Sequence, residues 1–270
     1  MNKNISRLSA IFNNRDGDDK VMSLFLTAGY PDLDATVDLI LGFEKNGADI
    51  VELGMPFSDP LADGQTIQEA SNVAIQNGVT ISRIFEMVRL IRKSSEIPIV
   101  LMGYINPVLK YGVDKFCSEA SGAGVDGLII PDAPLEESSI LSEAASENGL
   151  DMIYLVAPNS TDERMKRVDE ASSGFVYCVS VTGVTGARKG NEVANSVAKF
   201  IDRVISNVTN NPKLVGFGIK NHQDAQIISK DLDGFIVGSA LIDTIKKNYP
   251  NNGWQENVFQ FVKELKFGNI

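Results

Sequence analysis

Glu52 and Asp63 bracket the most chemically suggestive stretch of this chain, Val51-Glu52-Leu53-Gly54-Met55-Pro56-Phe57-Ser58-Asp59-Pro60-Leu61-Ala62-Asp63-Gly64. Glu52 interrupts an apolar, strand-like run, and Asp63 closes the Pro/Gly/Ser/Asp loop behind it. Burying a carboxylate costs on the order of several kcal/mol unless it is paired, hydrogen-bonded or protonated, so such a residue often marks chemistry. On a strand, Glu52 shares a face with Ile50 while Val51 and Leu53 take the other, which turns it inward if helices cover the outer face. An apolar pocket would raise its proton affinity and let it give and take a proton near neutrality. The alternative is a structural acid that ties down backbone. Asp63 has two readings as well, a second acid of the site or the N-cap of the following helix.

Other side chains join these two by position. If the chain is a barrel, the strand ends and the loops after them face the active site, which selects Phe25, Tyr104, Asn106, Asp132, Tyr177 and Thr185. Asp132, in Ile130-Pro131-Asp132-Ala133-Pro134, could contact ligand or hold a loop. Gly216-Phe217-Gly218-Ile219 and Gly238-Ser239-Ala240 end the last two strands, and the latter opens a helix. Backbone N–H groups at glycines and at a helix N-terminus cradle phosphate, although tight helix–strand packing would also select these glycines. Val181 to Gly190 is small, polar and glycine-rich, as in a closing lid or a plain surface loop.

The elements that would position these residues follow from alternation. Short β-branched runs at Val21 to Thr27, Asp49 to Leu53, Ile97 to Met102, Val125 to Ile130, Met152 to Val156, Phe175 to Ser180, Leu214 to Gly216 and Gly234 to Val237 alternate with amphipathic stretches. Eight such units predict a parallel α/β sheet closed as one (β/α)₈ TIM barrel over residues 1–270. An open doubly wound sheet shares the alternation, but no Gly-x-Gly-x-x-Gly turn follows the first strand. Ile5, Leu8, Ile11 and Phe12 have the spacing of a helix capping the barrel floor, and Trp254 to Phe267 that of a closing helix.

Composition excludes several classes. A net charge of −10 argues against nucleic acid, and no apolar run reaches membrane-spanning length. Cys117 and Cys178 lack metal-ligand spacing and read as reduced, cytoplasmic thiols. The single histidine, His222, makes a His-rich metal site or a Ser/His/Asp triad improbable. Lys213 and Lys220 flank the seventh strand in exposed contexts, which disfavours a Schiff-base lysine.

Seven ordered motifs then carry a resemblance. They are Phe25-Leu26-Thr27-Ala28-Gly29-Tyr30-Pro31, Glu52-Leu53-Gly54 through Asp63-Gly64, Met102-Gly103-Tyr104-Ile105-Asn106-Pro107, Pro131-Asp132, Val184-Thr185-Gly186-Ala187-Arg188, Gly216-Phe217-Gly218-Ile219 and Gly238-Ser239. Along nearly its whole length the chain resembles the tryptophan synthase α-subunit family. Gln65 departs from it, standing where proline is frequent.

The resemblance implies a carbon–carbon lyase that cleaves indole-3-glycerol phosphate to indole and glyceraldehyde 3-phosphate. It implies Glu52 as the acid/base and Asp63 as the acceptor of the indole N–H. Phe25, Met102 and Tyr177 would shape the pocket, Tyr104 would lie beside Glu52, Asp132 would touch substrate, and Thr185 would bond Asp63. Gly186, Gly218, Gly238 and Ser239 would hold phosphate. The resemblance further implies no cofactor in this chain and a pyridoxal-phosphate-dependent β subunit as partner in an αββα heterotetramer. Asn106-Pro107-Val108 and Asp59-Pro60 would lie in the docking loops. A stand-alone lyase and a phosphate-sensing regulatory barrel are the competing functions.

Overall fold

The computed structural model describes residues 6–17, 19–179, 190–216 and 218–268, with the side chains of 190–195 excepted. Nine parallel strands form one sheet: β1 (Val21–Thr27), β2 (Ile50–Gly54), β3 (Ile99–Met102), β4 (Gly127–Ile129), β5 (Asp151–Met152), β6 (Leu155–Val156), β7 (Val176–Val179), β8 (Lys213–Gly216) and β9 (Gly234–Val237). The order β5-β4-β3-β2-β1-β9-β8-β7-β6 has β5 and β6 at its two ends. These ends are one stretch of chain broken only at Ile153 and Tyr154. Ile153 N–H donates to Leu128 on one side, and Tyr154 C=O accepts from Tyr177 on the other. The sheet therefore closes on itself, and the fifth strand of the expected eight is split in two.

Among the described residues twelve α-helices surround the sheet: α1 (Arg7–Asn14), α2 (Ala35–Lys45), α3 (Gln65–Gln76), α4 (Ile81–Ile91), α5 (Ile105–Tyr111), α6 (Val113–Ala123), α7 (Ser139–Glu147), α8 (Asp162–Ala171), α9 (Gly190–Asn207), α10 (His222–Ile228), α11 (Ser239–Asn248) and α12 (Trp254–Phe267). Among the described residues no helix is long and apolar enough to cross a membrane. The crossover between the expected third and fourth strands is a pair of helices, α5 and α6. Asn106-Pro107-Val108 thus lies in a helix rather than the expected loop. Pro107 is tolerated because it sits in the first turn, whose N–H groups have no intrahelical acceptor.

Two apolar shells meet at the strands. Val51 and Leu53 join the outer shell under the helices, whereas Ile50 joins the barrel interior with Val21, Val100, Ile129, Ile153, Phe175, Leu214 and Ile236. Leu8 of α1 inserts into the same interior layer from below. The floor is further held by Asp126, which accepts from Arg7 Nη1 at 3.0 Å, Arg92 Nη2 at 2.7 Å and Ile99 N–H at 2.7 Å. The predicted capping helix is present, running Arg7–Asn14 with Ser6 as its N-cap.

Candidate active site at the mouth of the barrel

The two-residue period of β2 turns Glu52 inward, one step above Ile50. Glu52 is 0% exposed. Its Oε1 accepts from the Ser23 hydroxyl at 2.7 Å, while Oε2 has no partner among the described residues. Burial drives its pKa up to about 7, against a smaller downward pull from Ser23. A carboxyl in this state exchanges protons near neutrality.

Above it opens a cavity of about 810 Å³, within the range of small-molecule sites. One wall is apolar, with Phe25, Met102, Leu155, Tyr177 and Ile236. Gly216, Gly218, Gly238, Ser239 and Ala240 also line the cavity, with Gly216 beside Tyr177 and Gly238 beside Phe25. Glu52 lies beneath this wall and not on it. Tyr177 connects the two, since the charges of Glu52 and Asp63, after burial, hold its hydroxyl well above the ordinary tyrosine value.

Asp63 is on the cavity wall. The expected N-cap role is not what the structure shows: Gly64 is the capping residue of α3, and no side chain caps that helix. Burial raises the Asp63 carboxyl and a hydrogen bond from Tyr104 opposes this. The Tyr104 oxygen also accepts from Ala62 N–H at 3.0 Å, and its ring packs on Phe57 with centroids 5.4 Å apart. Tyr104, expected beside Glu52, therefore binds the loop that carries Asp63. Asp132 is exposed and does not line the cavity. Its Oδ1 accepts from Ile105 N–H at 2.9 Å, which ties it to the start of α5.

The glycine rim has local causes. A Cβ on Gly216 would stand 2.7 Å from the Tyr177 hydroxyl, so a side chain there would displace that ring. Gly218 has φ +46, a conformation that favours glycine. Gly238 is the N-cap of α11, whose first two residues, Ser239 and Ala240, line the cavity. Thr185, Gly186, Phe217 and nearly all of the expected lid lie outside the described residues.

Two residues were not singled out as functional from sequence. Ser23 gave only a polar interruption of an apolar strand as its signal. Lys220 is the one basic residue lining the cavity among the described residues, directly after the glycine turn. Lys213, by contrast, is half-buried and paired with Asp233 at 3.4 Å. Among the described residues no cluster of three or more His, Cys, Asp or Glu could hold a metal ion. Cys117 and Cys178 are free and buried.

A closed parallel barrel with two acids and several glycines at the C-terminal ends of its strands has the architecture of a (β/α)₈ enzyme. Comparison with known proteins narrows this. The family model described as tryptophan synthase alpha chain matches residues 12–267. The tryptophan synthase alpha chain of Thermoanaerobacter sp. (strain X514) is 46% identical over 247 residues, covering 92% of this chain and 93% of that one. That of Petrotoga mobilis is 42% identical over 268 residues, covering 97% and 99%. A structure of Mycobacterium tuberculosis tryptophan synthase superimposes with a TM-score of 0.86 at 37% identity, covering 97% of this chain and 98% of the other. The chain belongs to the tryptophan synthase alpha chain family.

Proposed function

We propose that this chain cleaves indole-3-glycerol phosphate to indole and glyceraldehyde 3-phosphate, by a reverse aldol reaction run on carboxylates. The observation that carries the reading is Glu52, a fully buried carboxyl with one bonded oxygen and one free one, poised near pH 7 under a cavity.

The apolar wall suits the indole ring, and the glycine rim with the α11 N-terminus suits the phosphate. Lys220 adds the positive charge that a dianion needs in a chain of net charge −10. Glu52 swings from its interior position, delivers a proton to indole C3, and takes the proton of the glycerol hydroxyl next to the scissile bond. The C–C bond then breaks, its electron pair returns to the indole ring, and the hydroxyl carbon leaves as the aldehyde. Asp63 accepts from the indole N–H and stabilises the positive charge of the protonated intermediate. Thr185 and Gly186 would complete the site from the loop after β7.

No cofactor enters these steps, and pyridoxal phosphate belongs to a β subunit that consumes the indole in a cytoplasmic αββα assembly. The loop of Asp59 and Pro60 supports docking at the mouth, because Leu61 beside them is 87% exposed. The test is indole release from indole-3-glycerol phosphate by purified protein, alone and with a tryptophan synthase β subunit. Slow release that accelerates strongly with the β subunit is expected. Fast release alone would identify a stand-alone lyase, and none in either condition would remove the lyase reading.

A further inference from the structure

Ser23 is an anomaly inside the barrel. On β1, Val21, Ser23 and Phe25 share the inward face; Val21 belongs to the apolar interior layer and Phe25 lines the cavity. Between them stands a hydroxyl with no solvent exposure. Burying a hydroxyl is unfavourable unless it is hydrogen-bonded, and this one donates to Glu52 Oε1 at 2.7 Å. The pairing of β1 with β2 sets Phe25 opposite Glu52, so Ser23 sits one inward step nearer the floor than the residue it holds.

We propose that Ser23 is a positioning residue for the lyase: its hydroxyl anchors Glu52 by Oε1 at the base of the cavity and leaves Oε2 as the oxygen that carries the proton. The inference rests on Glu52 being the acid/base. The anchor favours the ionised carboxylate, because a donated hydrogen bond stabilises negative charge, and so it opposes the effect of burial. The other titratable groups near Glu52 are Tyr177 on β7 and, beyond it, Asp63. Tyr177 stays neutral over the working range, being held well above the ordinary tyrosine value. Asp63 is paired with Tyr104.

The test uses the whole chain with Ser23→Ala, Ser23→Thr and Glu52→Gln, each checked for folding by circular dichroism. Infrared difference titration follows the protonated-carboxyl band that Glu52→Gln removes, and the pH profile of kcat/KM for indole-3-glycerol phosphate is measured alongside. In Ser23→Ala the titration and the matching kinetic break move up by about one pH unit, the scale of one hydrogen bond to a charged group. Affinity for glycerol 3-phosphate stays unchanged, and Ser23→Thr returns both readings towards the parent. A folded Ser23→Ala protein with both titrations unmoved would overturn the proposal. Turnover retained in Glu52→Gln would instead remove Glu52 as the acid/base, and with it the role proposed for Ser23, while the infrared titration would still decide whether Ser23 holds the carboxyl.

Discussion

Asp126 at the barrel floor and Glu52 at its mouth are both buried acids, and they differ in what surrounds their oxygens. Both Asp126 oxygens are used, by Arg7, Arg92 and the Ile99 N–H. Glu52 has Ser23 on one oxygen and, among the described residues, nothing on the other. The arginines that neutralise Asp126 also join α1 and α4 to the strand ends, so that acid is spent on holding the floor together. Glu52 holds nothing together, and its free oxygen is a standing cost to the fold. Burial alone therefore does not mark a catalytic acid; incomplete satisfaction of a buried one does.

The largest effect should come from removing the unsatisfied acid. Glu52→Gln is expected to lower kcat for indole release roughly a thousandfold, the scale of general acid/base catalysis, with glycerol 3-phosphate binding nearly intact. The same change should stabilise the fold at alkaline pH. The folded pKa of about 7 lies above the ordinary 4.5, so the native state holds its proton longer than the unfolded chain. The penalty is absent below about pH 4.5 and complete above about pH 7, and amounts to about 3 kcal/mol. Urea unfolding at pH 4 and pH 8 measures it; an equal gap between parent and variant at both would contradict the poised state of Glu52.

The satisfied acid should behave in the opposite way. Asp126→Ala removes the carboxylate bonded to the mostly buried Arg92, leaving only the more distant Glu96 and Glu44, and should cost about 3 kcal/mol of stability, read as a lower urea midpoint. The kcat of the folded fraction should be unchanged. A large loss of kcat without a loss of stability would erase the distinction between floor and mouth.

Much of this contrast was legible in the sequence. Alternation located the strands, and the two-residue period placed Glu52 inward and Val51 and Leu53 outward, since these patterns follow from local backbone geometry. What escaped depended on long-range packing. The short helix α5 was hidden by Asn106-Pro107, which reads as loop until a helix start makes a proline in the first turn acceptable. Asp63 has the composition of an N-cap, yet Gly64 takes that place and frees the carboxyl for the cavity. Ser23 and Lys220 acquire meaning only when β1 meets β2 and when the chain after β8 turns over the cavity.

Lys220 extends the comparison to cations. Arg7 and Arg92 are locked to Asp126, whereas Lys220 stands exposed on the wall of the cavity. Lys220→Gln should weaken glycerol 3-phosphate binding about tenfold at low salt, with little change in kcat. The difference from the parent should shrink as ionic strength rises, because an exposed charge is screened. Calorimetric titration at two salt concentrations is the measurement, and a salt-independent loss would mean that the side chain acts by packing.

The smallest expected effect concerns how Asp63 differs from Glu52. Asp63 is partly exposed and has Tyr104 as a donor, so its carboxyl is pulled down while burial pushes it up. Tyr104→Phe keeps the ring on Phe57 but removes the hydroxyl from both Asp63 and the Ala62 N–H. Without that donor the Asp63 carboxyl rises further. Because Asp63 must be ionised to stabilise a cationic indole, the acidic limb of the kcat profile should move to higher pH. At neutral pH the loss should be roughly three- to tenfold, the range of a single hydrogen bond. If the acidic limb stays in place while kcat falls at every pH, Tyr104 sets the geometry of the loop and not the charge of Asp63, and the mouth would then hold one tuned acid instead of two.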